Sequence, residues 1–177
     1  MKNLTIGYSP CPNDTFIFDA MVHGKIDTEG LTFTPYLEDV ETLNRKAAAG
    51  EFAITKLSFF AFAKVTNFYQ LLASGSAMGK GVGPLFISKK KFTDAEKEIQ
   101  SIAIPGRNTT AYFLLRSFYP GLTNVTELVF SDIESAILEG KVDAGVIFHE
   151  NRFTYEAKGL LKIADLGELW EKKTQLP

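Results

Sequence analysis

His149 is the residue of this chain best placed to do acid–base chemistry. It follows the apolar run of residues 144–148, which the sequence predicts to be a buried strand. Ligands of α/β proteins bind at the carboxyl ends of strands, and a partly dehydrated imidazole there is neutral near pH 7 and suits a general base. A structural histidine that closes the strand is the alternative. Glu150 would point to the opposite face of a continuing strand, so a His–Glu pair is not predicted.

Cys11, the single cysteine of the chain, is a candidate nucleophile. It lies between Pro10 and Pro12, ahead of a predicted helix whose N-terminus favours a thiolate. No second residue is visible that would activate it, so packing within the loop is the other interpretation. His23 precedes Gly24 at a predicted helix end, where a cation favours the dipole. Two distant histidines without ligand spacing predict no metal site.

Other polar residues that could bind a substrate follow predicted strands. Residues 9–15 (Ser-Pro-Cys-Pro-Asn-Asp-Thr) come after a strand over residues 4–8, and two prolines hold this loop in one shape before Asn13 and Asp14 cap a helix. Lys56 follows a short strand over residues 52–54. Its ammonium would either meet a substrate anion or stay solvated at the surface.

The second half of the chain repeats the pattern of the first. Residues 102–113 again read strand, proline loop, Asn, polar cap and aromatic helix, as residues 6–16 do. This repetition predicts two α/β lobes, over residues 1–88 and 89–177, with two helix N-termini facing one cleft. Asp14 would accept hydrogen bonds from hydroxyls, whereas Thr109-Thr110, without an acidic cap, would suit a carboxylate or phosphate. The alternative is the ordinary self-resemblance of any α/β protein.

Composition excludes several classes of partner. The 177 residues carry a net charge of −2 without a basic face, which argues against nucleic acid as the main partner. No apolar run approaches the roughly 18 residues that span a membrane. A single cysteine fits a reducing compartment. We therefore expect a cytoplasmic, soluble α/β protein.

Four motifs together resemble a known family: residues 9–18, Lys56-Leu57-Ser58, residues 106–110 and residues 143–150. The chain is similar throughout to the 1,4-dihydroxy-6-naphthoate synthases of the futalosine route to menaquinone. The resemblance implies a two-lobed fold like that of type 2 periplasmic solute-binding proteins. It also implies a cofactor-free lyase that converts cyclic dehypoxanthinyl futalosine, with His149 as the proton acceptor. The substrate, a small carboxylate, would meet Asp14, Lys56, Leu57, Ser58, Thr109 and Thr110.

Two alternatives remain beside this resemblance. The sister enzyme that acts on chorismate shares the fold, although its opening loop lacks the Ser-Pro-Cys-Pro-Asn-Asp run. A non-catalytic module that binds a small carboxylate is compatible with the same fold. Members of the family continue well beyond the position of Pro177, so we expect an incomplete first lobe with an exposed apolar patch, and self-association of the chain.

Overall fold

The computed structural model describes residues 2–177 and divides the chain into two compact units. The first unit ends at Ala77, and the second is Met78–Pro177. The sequence places the change of lobe at residue 88. In the structure, however, the strand Leu85–Ser88 already pairs with strands of the second unit. Within residues 2–177, no helix is both long enough and apolar enough to cross a bilayer.

The first unit is built on a parallel sheet. Its strands are β1 (Lys2–Tyr8), β2 (Leu31–Leu37) and β3 (Ile54–Thr55), and its helices are α1 (Pro12–Val22), α2 (Val40–Ala48) and α3 (Phe59–Phe62). The strand order is β2-β1-β3, and β1 is parallel to both neighbours. Pro35 therefore lies on an edge strand, as its missing N–H group predicts. Ile6, Leu43 and Ala47 are buried where α2 covers the sheet.

Local sequence signals explain where these helices begin. Asp39 caps α2 as predicted, because its carboxylate accepts hydrogen bonds from the Glu41 and Thr42 N–H groups. The predicted caps of α1 are wrong, since Cys11 is its N-cap residue and Asp14 lies in its first turn. Pro12 explains the difference, because a proline fits the first helical position, where no N–H partner is needed.

The strand predicted over residues 52–54 is displaced along the chain. Pairing with β1 joins Ile6 to Ile54 and Gly7 to Thr55, so β3 starts at Ile54. Phe52 is buried without belonging to a strand, and its ring lies 5.5 Å from the ring of Tyr36. Phe52 is apolar because its ring is buried outside the strand, and its apolar side chain therefore resembles that of a buried strand residue in the sequence.

The second unit has a larger, mixed sheet. Its strands are β4 (Leu85–Ser88), β5 (Ile102–Ile104), β6 (Val125–Glu127), β7 (Ala144–Ile147) and β8 (Leu161–Asp165). Their order is β6-β5-β7-β4-β8; β5 is parallel to β6 and β7, whereas β4 is antiparallel to β7 and β8. The helices are α4 (Ala95–Glu98), α5 (Thr110–Phe118), α6 (Ile133–Leu138), α7 (Asn151–Thr154) and α8 (Leu166–Thr174). Two 3-10 turns, Phe130–Asp132 and Glu156–Lys158, complete the unit.

Helices cover both faces of this sheet, so its central strands are buried throughout. Phe86, Leu115 and Leu166 belong to a core on one face, with α5 and α8. Ile87, Ile133 and Ile137 belong to a second core on the other face, beneath α6. All four residues of β7 are buried, which explains the continuous apolar run that predicted this strand.

A close backbone approach fixes the start of β4 against α8. A Cβ atom on Gly83 would lie 2.5 Å from the Cα atom of Gly167, so only glycine fits. The same segment is held by Arg152, whose guanidinium donates to the carbonyl oxygens of Gly83 at 2.6 Å and of Gly81 at 3.1 Å. Arg152 also pairs with the buried Asp165 at 2.6 Å.

Gly83→Ala is expected to lower the free energy of unfolding by about 1–3 kcal/mol, because the new methyl group must push backbone against backbone. Urea unfolding followed by circular dichroism measures the change. Gly81→Asn is the matched control: Gly81 has a φ of +69° and open space around its Cα, and asparagine tolerates that conformation. Equal stability of Gly83→Ala and the unsubstituted chain would contradict the close approach.

Candidate functional site

Parallel pairing brings two loops to one edge of the sheet in each unit. In the first unit β1 and β3 are parallel neighbours, and the loops after Tyr8 and Thr55 leave from the same edge. In the second unit β5 and β7 are parallel neighbours, so the loops after Ile104 and Ile147 share an edge as well. These loops, together with the first turns of α1 and α5, contain the residues that the sequence predicts to act on a substrate.

Ser9, Asp14 and Lys56 form one polar cluster in the first unit. One carboxylate oxygen of the buried Asp14, Oδ2, accepts from the Ser9 N–H group at 3.1 Å and from the Ser9 hydroxyl at 2.9 Å. The other, Oδ1, lies 3.4 Å from Lys56 Nζ, which also donates to the carbonyl oxygen of Gly75 at 2.9 Å. Asp14 thus holds the opening loop and Lys56 together. A direct bond from Asp14 to a substrate hydroxyl stays a prediction.

Cys11 and Tyr8 flank this cluster. The Ser9 hydroxyl lies 2.8 Å from Cys11 Sγ, and the Cys11 N–H group donates to Ser9 Oγ at 3.4 Å. Both contacts join residues within the loop and therefore stabilise its conformation. Burial raises the pKa of Tyr8, and the nearby Asp19 and Asp14 carboxylates raise it further. Tyr8 is therefore a neutral phenol at ordinary pH.

The Lys56-Leu57-Ser58 loop is anchored by a residue that the sequence analysis missed. Asn44, buried in α2, accepts from the Ser58 N–H group at 2.9 Å and donates to Ser58 Oγ at 3.3 Å. Lys56 N–H donates to the carbonyl oxygen of Gly7 at 2.8 Å. Leu57 and Ser58 are half-buried between these anchors. Nothing in the spacing of Asn44 along α2 signals this long-range role.

Thr109 and Thr110 have different surroundings in the second unit. Thr109 is buried and caps α5: its hydroxyl accepts from the Tyr112 N–H group at 3.2 Å and donates to the carbonyl oxygen of Gly106 at 2.7 Å. Thr110, the first residue of α5, is exposed. The predicted polar cap is thus confirmed, and Thr110 has the more accessible hydroxyl of the two.

His149 lies two residues beyond β7 in a left-handed backbone conformation, with a φ of +54°. Its imidazole is half-buried beside two aromatic rings, 4.6 Å from the centroid of Phe148 and 6.2 Å from that of Phe130. The His149 carbonyl oxygen accepts from the Arg152 N–H group at 3.2 Å. A non-glycine residue rarely adopts this conformation, and strained residues of this kind cluster at functional sites.

Taken separately, the two loop pairs provide different chemistry. The first unit presents an ammonium, hydroxyls and a rigid proline loop, which are groups that bind an anion or a hydroxylated ring. The second unit presents an imidazole beside two aromatic rings, and it also presents the N-terminus of a nine-residue helix. Among residues 2–177, no three His, Cys, Asp or Glu side chains cluster in a way that could hold a metal ion.

Known proteins with similar sequences cover this chain from end to end. A 1,4-dihydroxy-6-naphthoate synthase of Thermus thermophilus is 48% identical over 177 residues, which make up 100% of this chain and 64% of that protein. A protein of the same name from Streptomyces coelicolor is 40% identical over 98% of this chain and 62% of its own length. The chain thus spans a little under two thirds of the length of these curated relatives.

Solved structures agree with this relationship. A crystal structure of an Archaeoglobus fulgidus protein is 36% identical, with a TM-score of 0.90 over 99% of this chain and 64% of that one. A ligand-binding component of an ABC-type import system from Staphylococcus aureus is 14% identical, with a TM-score of 0.63 over 99% and 69% of the two chains. The latter similarity concerns the fold alone: the chain has the α/β fold of periplasmic-binding-protein-like, type 2 proteins.

One family model matches nearly the whole chain. It is described as menaquinone biosynthesis and matches residues 4–177. The motifs on which the sequence resemblance rests, from the opening proline loop to His149, all lie within the matched region. The chain therefore belongs to the menaquinone biosynthesis family.

Proposed function

We propose that this chain carries the chemistry of 1,4-dihydroxy-6-naphthoate synthesis, the conversion of cyclic dehypoxanthinyl futalosine to 1,4-dihydroxy-6-naphthoate. The observation that carries the proposal is the placement of His149, whose imidazole is half-buried and whose backbone is strained, just beyond the carboxyl end of a buried strand. The names of the two curated relatives supply the product, 1,4-dihydroxy-6-naphthoate, and the substrate is the one that the sequence resemblance implies. In this proposal the protein is a lyase.

His149 acts as the general base in this proposal. Opening the cyclic ribose adduct and aromatising the ring requires removal of a proton next to an electron-withdrawing group, and a neutral imidazole is suited to that step. The rings of Phe148 and Phe130 limit the water around the imidazole, and they provide an apolar wall for an aromatic substrate.

The remaining residues of the proposed site bind the substrate. The N-terminus of α5 and the exposed Thr110 hydroxyl suit a carboxylate, because the first N–H groups of a helix and its dipole favour an anion. In the first unit, Asp14 holds Lys56 so that its ammonium is available to an anionic or hydroxylated group. Leu57, Ser58 and Thr109 complete the proposed set of binding residues.

A binding module for a small carboxylate is the second candidate. The similarity to an ABC-type ligand-binding component favours it, since that fold serves ligand capture. The test incubates the purified chain with cyclic dehypoxanthinyl futalosine and, separately, with chorismate, and follows naphthoate absorbance and binding heat. We expect naphthoate from the first substrate only. Binding without product would favour the module, and turnover of chorismate would favour the sister enzyme.

Location and assembly are also part of the proposal. A single cysteine fits the cytoplasm, where thiols stay reduced. Large apolar side chains that are exposed in the first unit, including Phe16 at 86% and Phe68 at 74%, favour self-association. Gel filtration measures the assembly, and a monomer at all concentrations would contradict this part.

His149→Asn is expected to lower kcat by about 100-fold or more while substrate binding stays close to that of the unsubstituted chain, because the general base is lost and the loop is kept. Asparagine is chosen since it tolerates the left-handed conformation of residue 149. Stopped-flow absorbance measures turnover, and calorimetry measures binding. His23→Gln is the control, since His23 lies at the exposed end of α1. Turnover near that of the unsubstituted chain in His149→Asn would exclude His149 as the base.

Lys56→Met is expected to raise KM by about 10- to 100-fold with a smaller change in kcat, because a charge-assisted hydrogen bond to the substrate is removed and the methionine keeps the length of the side chain. Steady-state kinetics measures both constants. Lys25→Met provides the comparison: Lys25 belongs to the same unit but pairs with Asp19 at the exposed surface. An equal, small change in KM for both variants would leave Lys56 as a structural partner of Asp14.

A further inference from the structure

The turn that carries His149 continues directly into α7, a helix of four residues. So short a helix does not hold its own position, and its anchors come from elsewhere in the unit. Two buried carboxylates hold its first two residues. Asn151 Nδ2 donates to Glu134 Oε2 at 2.9 Å, and Arg152 donates to Asp165 Oδ2 at 2.6 Å.

Glu134 is the unusual member of this arrangement. Its side chain is 4% exposed, and its Oε2 atom also accepts from Lys158 Nζ at 2.6 Å. Its other oxygen, Oε1, is buried and has no hydrogen-bond partner among residues 2–177. A buried carboxylate oxygen without a partner costs free energy, so packing alone does not explain an acid at this position.

We infer that Glu134 acts through Asn151 as a positioning residue for His149. This inference rests on the proposed role of His149 as the base. Asn151 is two residues beyond His149, and its hydrogen bond to Glu134 joins the start of α7 to α6. The bond therefore holds one end of a turn whose backbone is strained at His149. Loss of this hydrogen bond releases the start of α7. The backbone at residue 149 then relaxes, and the imidazole turns away from the orientation that proton transfer needs.

The aromatic neighbours of His149 make its position measurable. The imidazole lies at 56° to the ring of Phe148 and at 68° to that of Phe130, so their ring currents set the chemical shift of its carbon-bound protons. The chain has only two histidines. His23 belongs to α1 in the first unit, and its signal serves as an internal reference in the same spectrum.

The test compares Asn151→Ala with Lys158→Met in the 177-residue chain. Both substitutions remove one donor from Glu134 Oε2, but only Asn151 adjoins the His149 turn, since Lys158 lies beyond α7. We expect Asn151→Ala to displace the His149 proton signals by more than their line width and to leave His23 unchanged. In an active preparation, kcat falls by about 10- to 100-fold while KM stays within a few-fold, as for a misplaced catalytic group. Lys158→Met should change neither readout.

Glu134 itself is tested by a conservative pair of variants. Glu134→Gln keeps an oxygen that accepts from Asn151 and is expected to retain the His149 signal, whereas Glu134→Ala is expected to displace it as Asn151→Ala does. If Glu134→Ala does not fold, the comparison between Asn151 and Lys158 decides the question.

An unmoved His149 signal in Asn151→Ala overturns the inference, and so does an equal displacement in Lys158→Met, because both outcomes assign Glu134 to general stability. These spectra do not require turnover. A chain without synthase activity would therefore contradict the proposed function while the displacement of His149 still supports the positioning contact.

Discussion

Parallel pairing of two neighbouring strands is the constraint on which the candidate site depends in each unit. β1 beside β3 brings Asp14 within 3.4 Å of Lys56, although the two residues are 42 positions apart in the sequence. β5 beside β7 sends the Thr109 loop and the His149 turn from one edge of the second sheet. The pairing of β5 with β7 is secured by burial, because both strands are inaccessible along their whole length.

Buried carboxylates hold the loops at these sheet edges in defined conformations. Asp14 holds the proline loop, Asp165 caps α8 while it pairs with Arg152, and Glu134 binds Asn151 and Lys158. A carboxylate suits this work because its two oxygens accept from several donors at once. Burial of such a group is costly unless its oxygens are bonded, so each acid strongly favours one arrangement of the loop beside it.

The elements of the fold were largely predictable, because periodicity and caps are local signals. The apolar run before His149, the edge position of Pro35 and the Asp39 cap are confirmed. The start of α1 was misplaced because asparagine and aspartate are strong caps, and Pro12 overrode them. Likewise, Phe52 looked like a strand residue because buried positions take apolar side chains whether or not they belong to a strand.

The contacts that shape the site could not be predicted in the same way. Asn44 reaches Ser58 across fourteen residues, and Asn151 reaches Glu134 across seventeen. Nothing in the local sequence distinguishes these side chains from ordinary polar residues. The left-handed turn at His149 is similar: residue type gives only a weak indication of it, since histidine adopts that conformation less readily than glycine.

That turn has a consequence for how the chain would respond to selection. A non-glycine residue in a sparsely populated backbone region costs of order 1–3 kcal/mol, and glycine at position 149 would be relieved of most of it. The backbone conformation by itself therefore favours glycine over histidine at this position. A library screened only for thermal resistance should enrich glycine at this position, whereas the proposed role of His149 as the base requires that a library screened for turnover retain histidine. Selection for stability and selection for turnover would then favour different residues at position 149, and the residue found there would show which selection was the stronger.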